Sequence, residues 1–97
     1  MNYKKHMINV PGENKGEIIV FALSTCVWCK KTKALLEELN VNYDHINVDL
    51  VMDETKTNLL DDLTKYNTPI SFPTIVINNG EKIIVGYDEK RIKELLK

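Results

Sequence analysis

The chain has 97 residues, with 13 lysines and arginines against 14 aspartates and glutamates, and 43% of its residues are hydrophobic. That length suits one domain, residues 1–97, with its own core. A formal net charge of −1 supplies no global field to draw the chain to nucleic acid or anionic lipid, and no apolar run approaches the ~20 residues that a membrane span needs.

Residues 1–10 are short of pattern. Met7, Ile8 and Val10 suit either an edge strand or a tail, so residues 1–16 are an N-terminal extension or an extra strand. The basic, polar start has no apolar stretch behind it, so no secretory leader is expected. Pro11-Gly12-Glu13-Asn14-Lys15-Gly16 is a turn cluster. Residues 17–23 are rich in Ile, Val and Phe without alternation, as in a strand buried on both faces.

The only two cysteines follow, spaced Cys26-Val27-Trp28-Cys29. A helical pattern over 27–40 leads out of them. Ala34, Leu35, Leu36 and Leu39 form its inward stripe and Lys30, Lys31, Lys33, Glu37 and Glu38 its outer face. Thr25 is the candidate N-cap and Asn40 the candidate stop. Strand, thiol pair, helix is an order with chemical content. It puts Cys26 where the first N–H groups of a helix lack partners and the dipole is positive, which favours thiolate over thiol. The three lysines either bias the thiols and face an anionic substrate or form a solvated face. Cys29 lies one turn on, close enough to close a disulfide with Cys26, which is the arrangement for thiol–disulfide exchange. A zinc site needs four ligands, and only His6 and His45 join the pair, at no ligand spacing; no metal is expected. A structural disulfide suits a secreted mini-protein rather than a chain with this many core residues. A redox-active pair in a reducing, cytoplasmic compartment is the preferred reading.

Residues 41–48 suggest a second strand, with Tyr43, Ile46 and Val48 apolar and His45 on its surface without a role. Residues 53–66 suggest a second helix, capped by Asp53, with Leu59, Leu60, Leu63 and Tyr66 inward and Asp61 and Asp62 on a solvated face. Pro73 opens a strand over 74–77, Asn78-Asn79-Gly80 is a hairpin turn, and 82–85 is the partner strand. Gly86-Tyr87-Asp88 leads into a last helix ending at Leu96, capped by Asp88, with Ile92, Leu95 and Leu96 buried.

The order is β-α-β-α-β-β-α: an α/β fold with a mixed four-stranded sheet flanked by three helices, and residues 7–10 as an optional fifth strand. Cys26-Val27-Trp28-Cys29 after a strand, Phe72-Pro73 opening a later one, and Gly86-Tyr87-Asp88 before the last helix together resemble the thioredoxin fold, and within it a glutaredoxin. The resemblance runs from about residue 17 to the C-terminus. Thioredoxins carry a buried Asp where this chain has Val20, and Trp-Cys-Gly-Pro-Cys rather than Val27-Trp28 between the cysteines. Glutaredoxins have Pro-Tyr there, so Trp28 keeps the aromatic and Val27 replaces the proline. Leu23 stands where glutaredoxins usually carry a Lys, Pro69 and Ile70 where a basic residue or Gln is frequent, and Val85 where the first Gly of Gly-Gly-x-Asp is usual. Phe72 replaces a smaller residue.

The resemblance implies that Cys26 attacks a disulfide and Cys29 resolves it, with protein or glutathione-mixed disulfides as substrates and glutathione or a thioredoxin-reductase-type flavoprotein as electron donor. It implies a cis bond before Pro73 that turns the Phe72 backbone towards Cys26. Trp28, Phe72, Pro73, Gly86, Tyr87 and Asp88 would bind substrate or glutathione, the glutamyl end at Asp88 and the helix start behind it. A monomer without nucleic-acid or membrane partners is expected. Two other classes stand beside this one: an iron–sulfur carrier with Cys26 and glutathione as ligands between two copies, and a redox-inert interaction domain that uses the fold alone. Intact Cys26, Cys29 and Pro73 argue against the last.

Overall fold

The computed structural model describes residues 2–97; Met1, and the part of the N-terminal expectation that falls on it, lie outside them. Five strands make one sheet: β1 (Ile8–Val10), β2 (Ile18–Ala22), β3 (Tyr43–Asn47), β4 (Thr74–Ile77) and β5 (Lys82–Val85). Their spatial order is β1-β3-β2-β4-β5. β2 and β3 are parallel, and β1–β3, β2–β4 and β4–β5 are antiparallel. The helices are α1 (Val27–Glu38), α2 (Asp53–Tyr66) and α3 (Glu89–Leu96). This is the thioredoxin-like fold, and of the two options for residues 7–10 the extra strand is the one realised. It pairs Ile8 with His45 and Val10 with Tyr43.

β2 is buried at all five positions, and its side chains divide by the period of two. Ile18, Val20 and Ala22 join Leu36, Ile75, Ile77, Ile92 and Leu96 on the α1 and α3 face. Ile19 and Phe21 join Val76, Leu59 and Leu63 on the α2 face. Each large side chain withdrawn this way contributes about 1.5–3 kcal/mol, which is why an unalternating apolar run folds as the central strand. The α2 face also holds Tyr3, which is 3% exposed. The 3₁₀ segment Asn2–His6 brings it there, its ring 6.3 Å from that of Phe21, and its hydroxyl donates to Asp62. The sequence pattern gave no sign of this. It also corrects the placement of Asp62, which the N-terminal segment covers and which is not on a solvated face.

Helix termini supply further corrections. Cys26, not Thr25, is the N-cap of α1: its backbone is extended and its Sγ accepts the Cys29 N–H. The buried stripe of α1 is Cys29, Thr32, Leu35 and Leu36; Ala34 falls outside it and is exposed. The stop at Asn40 is as expected. Asn40 takes φ 57°, its N–H donates to Glu37 O and that of Val41 to Leu36 O, the paired bonds of a Schellman motif. For α2 the cap is Met52, with no side-chain bond. Asp53 sits inside the helix with φ 61°, in the left-handed region that Asp tolerates better than most residues, and its carboxylate still lies in the positive first turn. Asp88 caps α3 as expected, accepting the Arg91 N–H at 3.1 Å. The hairpin turn takes four residues, 78–81, because Ile77 pairs with Lys82; Asn78, Asn79 and Gly80 are consecutively left-handed. The bonds before Pro73 and before Pro69 are both cis; only the former was expected.

Candidate active site

β2 delivers the chain to the carboxyl end of the sheet, and a turn closed by the Cys26 N–H on Leu23 O (3.2 Å) carries it into α1. The two cysteines end in different surroundings because one precedes the helix and the other is a turn inside it. Both are free thiols; Cys26 is half-exposed and Cys29 buried. The Cys29 backbone N–H points at Cys26 Sγ from 3.2 Å, so the sulfur occupies the place a capping oxygen usually takes. Burial, with the adjoining Cys26 sulfur adding to it, pushes the Cys29 thiol up to about 11. Cys29 Sγ therefore holds its proton at neutral pH, and Cys26 is the sulfur that solvent and partners reach.

Of the other candidate residues, Trp28, Phe72, Gly86 and Tyr87 come together and Asp88 does not. Trp28 and Tyr87 stack at 5.9 Å with 25° between the rings, and Lys31 Nζ lies 4.7 Å from the Trp28 ring centroid, within cation–π range. Lys31 is thus engaged with the indole. Trp28, Phe72, Gly86 and Tyr87 line a cleft of about 250 Å³. Cys26, Phe72 and Tyr87 pack on the same cluster that encloses Cys29. Pro73 is buried, and its carbonyl accepts the Gly86 N–H at 2.8 Å, which ties the start of β4 to the turn after β5. Gly86 has φ 78°, a conformation strained for any side chain with a Cβ. Asp88 is exposed and spends one carboxylate oxygen on its cap; it does not line the cleft.

His45 departs from expectation. It is half-buried, its ring 6.0 Å from that of Tyr43, and its Nδ1 has no partner. Burial, and then the charge of Lys33, hold it below the ordinary imidazole value. β1 on one edge and α1 across the face cover a position that was expected at the surface. A residue missed altogether is Asp49, in the short 3₁₀ turn Val48–Leu50. Its carboxylate accepts both the Ser24 N–H (2.9 Å) and the Ser24 hydroxyl, and these bonds hold it below the usual carboxylate range. Among the described residues no three His, Cys, Asp or Glu side chains gather as a metal site, and no helix is long and apolar enough to cross a membrane.

A thiol pair at the mouth of a helix on this fold defines a thioredoxin-fold redox protein of the Cys-x-x-Cys type. The glutaredoxin family model matches residues 18–83, and the chain belongs to the glutaredoxin family. It is similar to a glutaredoxin of Methanosarcina mazei Go1, with a TM-score of 0.86 and 43% identity over 94% of this chain and 87% of that one. It is similar as well to a methanoredoxin of Methanosarcina acetivorans, with a TM-score of 0.83 and 47% identity over 88% of each chain. A glutaredoxin-like 8.6 kDa protein from a rubredoxin operon of Clostridium pasteurianum is 32% identical over 81% of this chain and 96% of its own length. Of glutaredoxin 1 from Rickettsia conorii the match spans 58%, less than two thirds.

Proposed function

We propose that residues 1–97 act as one dithiol thiol–disulfide oxidoreductase, with Cys26 as nucleophile and Cys29 as resolving thiol. The observation that carries this is the asymmetry of the pair: a reachable sulfur receiving an N–H at 3.2 Å beside a buried thiol pushed up to about 11. The Cys26 thiolate attacks one sulfur of a substrate disulfide. That S–S bond breaks, its far sulfur leaves as a thiolate and takes a proton from water, and a mixed disulfide joins Cys26 to the substrate. Cys29 then gives up its proton and attacks Cys26 Sγ, and the second substrate sulfur leaves. Two electrons have passed to the substrate, and Cys26–Cys29 is oxidised to a disulfide. A low-molecular-weight thiol such as glutathione, or a thioredoxin-reductase-type flavoprotein, returns the pair to the dithiol in a reducing compartment such as the cytoplasm. The substrates are protein or glutathione-mixed disulfides. The cleft formed by Trp28, Phe72, Gly86 and Tyr87 receives the group next to the attacked sulfur, and buried Pro73 anchors Gly86 behind it through its carbonyl.

The test is alkylation of the reduced chain at mildly acidic pH with mapping of the modified thiol. Cys26 is expected to label first; preferential labelling of Cys29 reverses the roles. The donor is identified by offering the oxidised protein to glutathione with its reductase and, separately, to thioredoxin reductase.

A further inference from the structure

The loop before Cys26 is closed by one bond of its own, the Cys26 N–H to Leu23 O; a further restraint arrives from another part of the chain. Ser24 is the second residue of the turn that the Cys26 N–H closes on Leu23 O. Both of its donors, the backbone N–H and the hydroxyl, are taken by one carboxylate, that of Asp49, 25 residues away in sequence. Asp49 sits just past β3, the strand parallel to β2, so the carboxyl ends of two neighbouring strands are joined by a two-pronged bond at the turn that aims Cys26. Carboxylate bonds to such donors are the stronger kind, and a turn held at two points of one residue can neither slide nor rotate freely.

From this geometry we infer that Asp49 is a positioning residue for the exchange reaction. Through Ser24 it holds the 23–26 turn so that Cys26 keeps its capping place and its sulfur stays within reach of the Cys29 N–H. This rests on the assignment of Cys26 as nucleophile. With the prongs removed, the start of α1 frays, and Cys26 swings off the helix mouth and loses the Cys29 N–H that its sulfur accepts. Lys56 is the charged group that faces Asp49 electrostatically; it lies on α2 and makes no bond to the turn.

The experiment measures the pH profile of Cys26 alkylation in the reduced protein, with a thermal melt on the same samples, for wild type, Asp49→Ala, Asp49→Asn and Ser24→Ala. Loss of one such bond to a charged group is worth a factor of roughly ten. Asp49→Ala is therefore expected to slow Cys26 alkylation at mildly acidic pH by at least that factor and to move the midpoint of the profile upward. Asp49→Asn keeps an oxygen for the Ser24 N–H and is expected to recover most of the rate. Ser24→Ala removes the hydroxyl prong alone and falls between. A purely structural bond would lower the melting temperature of Asp49→Ala and leave the midpoint where it is in wild type; that result overturns the inference. A midpoint that moves downward in both Asp49 variants also overturns it, because it would mean that the charge of Asp49, not its grip on Ser24, is what Cys26 feels. Should Asp49→Ala fail to fold, Ser24→Ala and Asp49→Asn decide by the same midpoints. Preferential labelling of Cys29 in wild type would instead defeat the prior assignment of the nucleophile, so the two failures are distinguishable.

Discussion

The two ends of the sheet are built on opposite plans. At the far end, where β2 begins, backbone closes on backbone. The Glu13 N–H donates to Asn40 O, the Asn42 N–H donates to Glu13 O, and the Asn78 N–H donates to Glu17 O. The Asn78 side chain returns the favour by accepting the Glu17 N–H. Gly12 lies so near the 40–42 backbone that a Cβ on it would stand 2.6 Å from the carbonyl carbon of Val41. At the thiol end the backbone bonds of Cys26 to Leu23 and of Gly86 to Pro73 are joined by the Ser24–Asp49 side-chain pair, and apolar side chains are left open to solvent: Val27 is 60% exposed and Trp28 55%. A closed end secures the fold; an end with exposed apolar groups and a reachable sulfur is the face on which the proposed exchange would take place. The lesson is that this chain leaves large apolar side chains uncovered beside its thiols and keeps its other end shut.

Substitutions separate the ends. The largest effect belongs to the thiols. Cys26→Ser is expected to abolish disulfide reduction while the protein still folds. Cys29→Ser is expected to trap mixed disulfides with protein substrates and to keep activity on glutathionylated ones, since the second thiol serves only to release a bound partner. Activity assays with mass spectrometry of trapped adducts check both; full protein-disulfide reduction by Cys29→Ser would sink the two-thiol scheme. Next in size is Gly12→Ala at the far end. The added carbon meets three backbone atoms of the 40–42 stretch, and forced shifts of that kind cost about 1–3 kcal/mol. Chemical denaturation should show that loss, with the reduction rate per folded molecule unchanged. A lowered rate would mean the ends are coupled.

The smallest effect is a slope. Cys29 in the folded, reduced protein holds its proton up to about 11 against an ordinary 9.0. The unfolded chain releases that proton first, so the folded state binds more protons in this window and stability falls as pH rises from 9 to 11. Burial also raises Tyr3 and Tyr43, which add a decline in the same sense from about pH 10 upward. Cys29→Ser should therefore flatten stability between pH 9 and 10 and leave the steeper fall above it. An unchanged slope there would mean that Cys29 is not the proton holder at the thiol end.

The two ends were also unequally legible in the sequence. Strand periods, the inward stripes of α2 and α3, the Asp88 cap and the Cys-x-x-Cys placement all rest on local patterns, and each of them stands in the structure. Asn40 was readable for the same reason, since a left-handed stop is a property of a few residues. What escaped depends on contacts across long sequence separations. Tyr3 lacks any periodic neighbours, yet it fills the α2 face because Asp62, 59 residues on, receives its hydroxyl. Asp49 looks like one more surface acid until its partner Ser24 is seen. His45 was placed outside as a polar residue of its strand, yet the period of two puts it on the face of buried Tyr43, which α1 overlies. Cys26 replaced Thr25 as cap because sulfur took an oxygen's role, which no capping preference anticipates.

Trp28 is the chain's one tryptophan, placed between the two cysteines in sequence, in contact with Tyr87 and Lys31 and still largely open to solvent. An indole so placed is an optical probe of its own redox centre. A disulfide beside it quenches emission by accepting an excited electron more readily than two thiols do, so brightness should rise as the pair is reduced. Each turnover then carries its own light signal, readable by stopped-flow fluorescence without dye, label or coupled enzyme. Emission that stays constant through complete reduction would show that the ring and the sulfurs do not communicate.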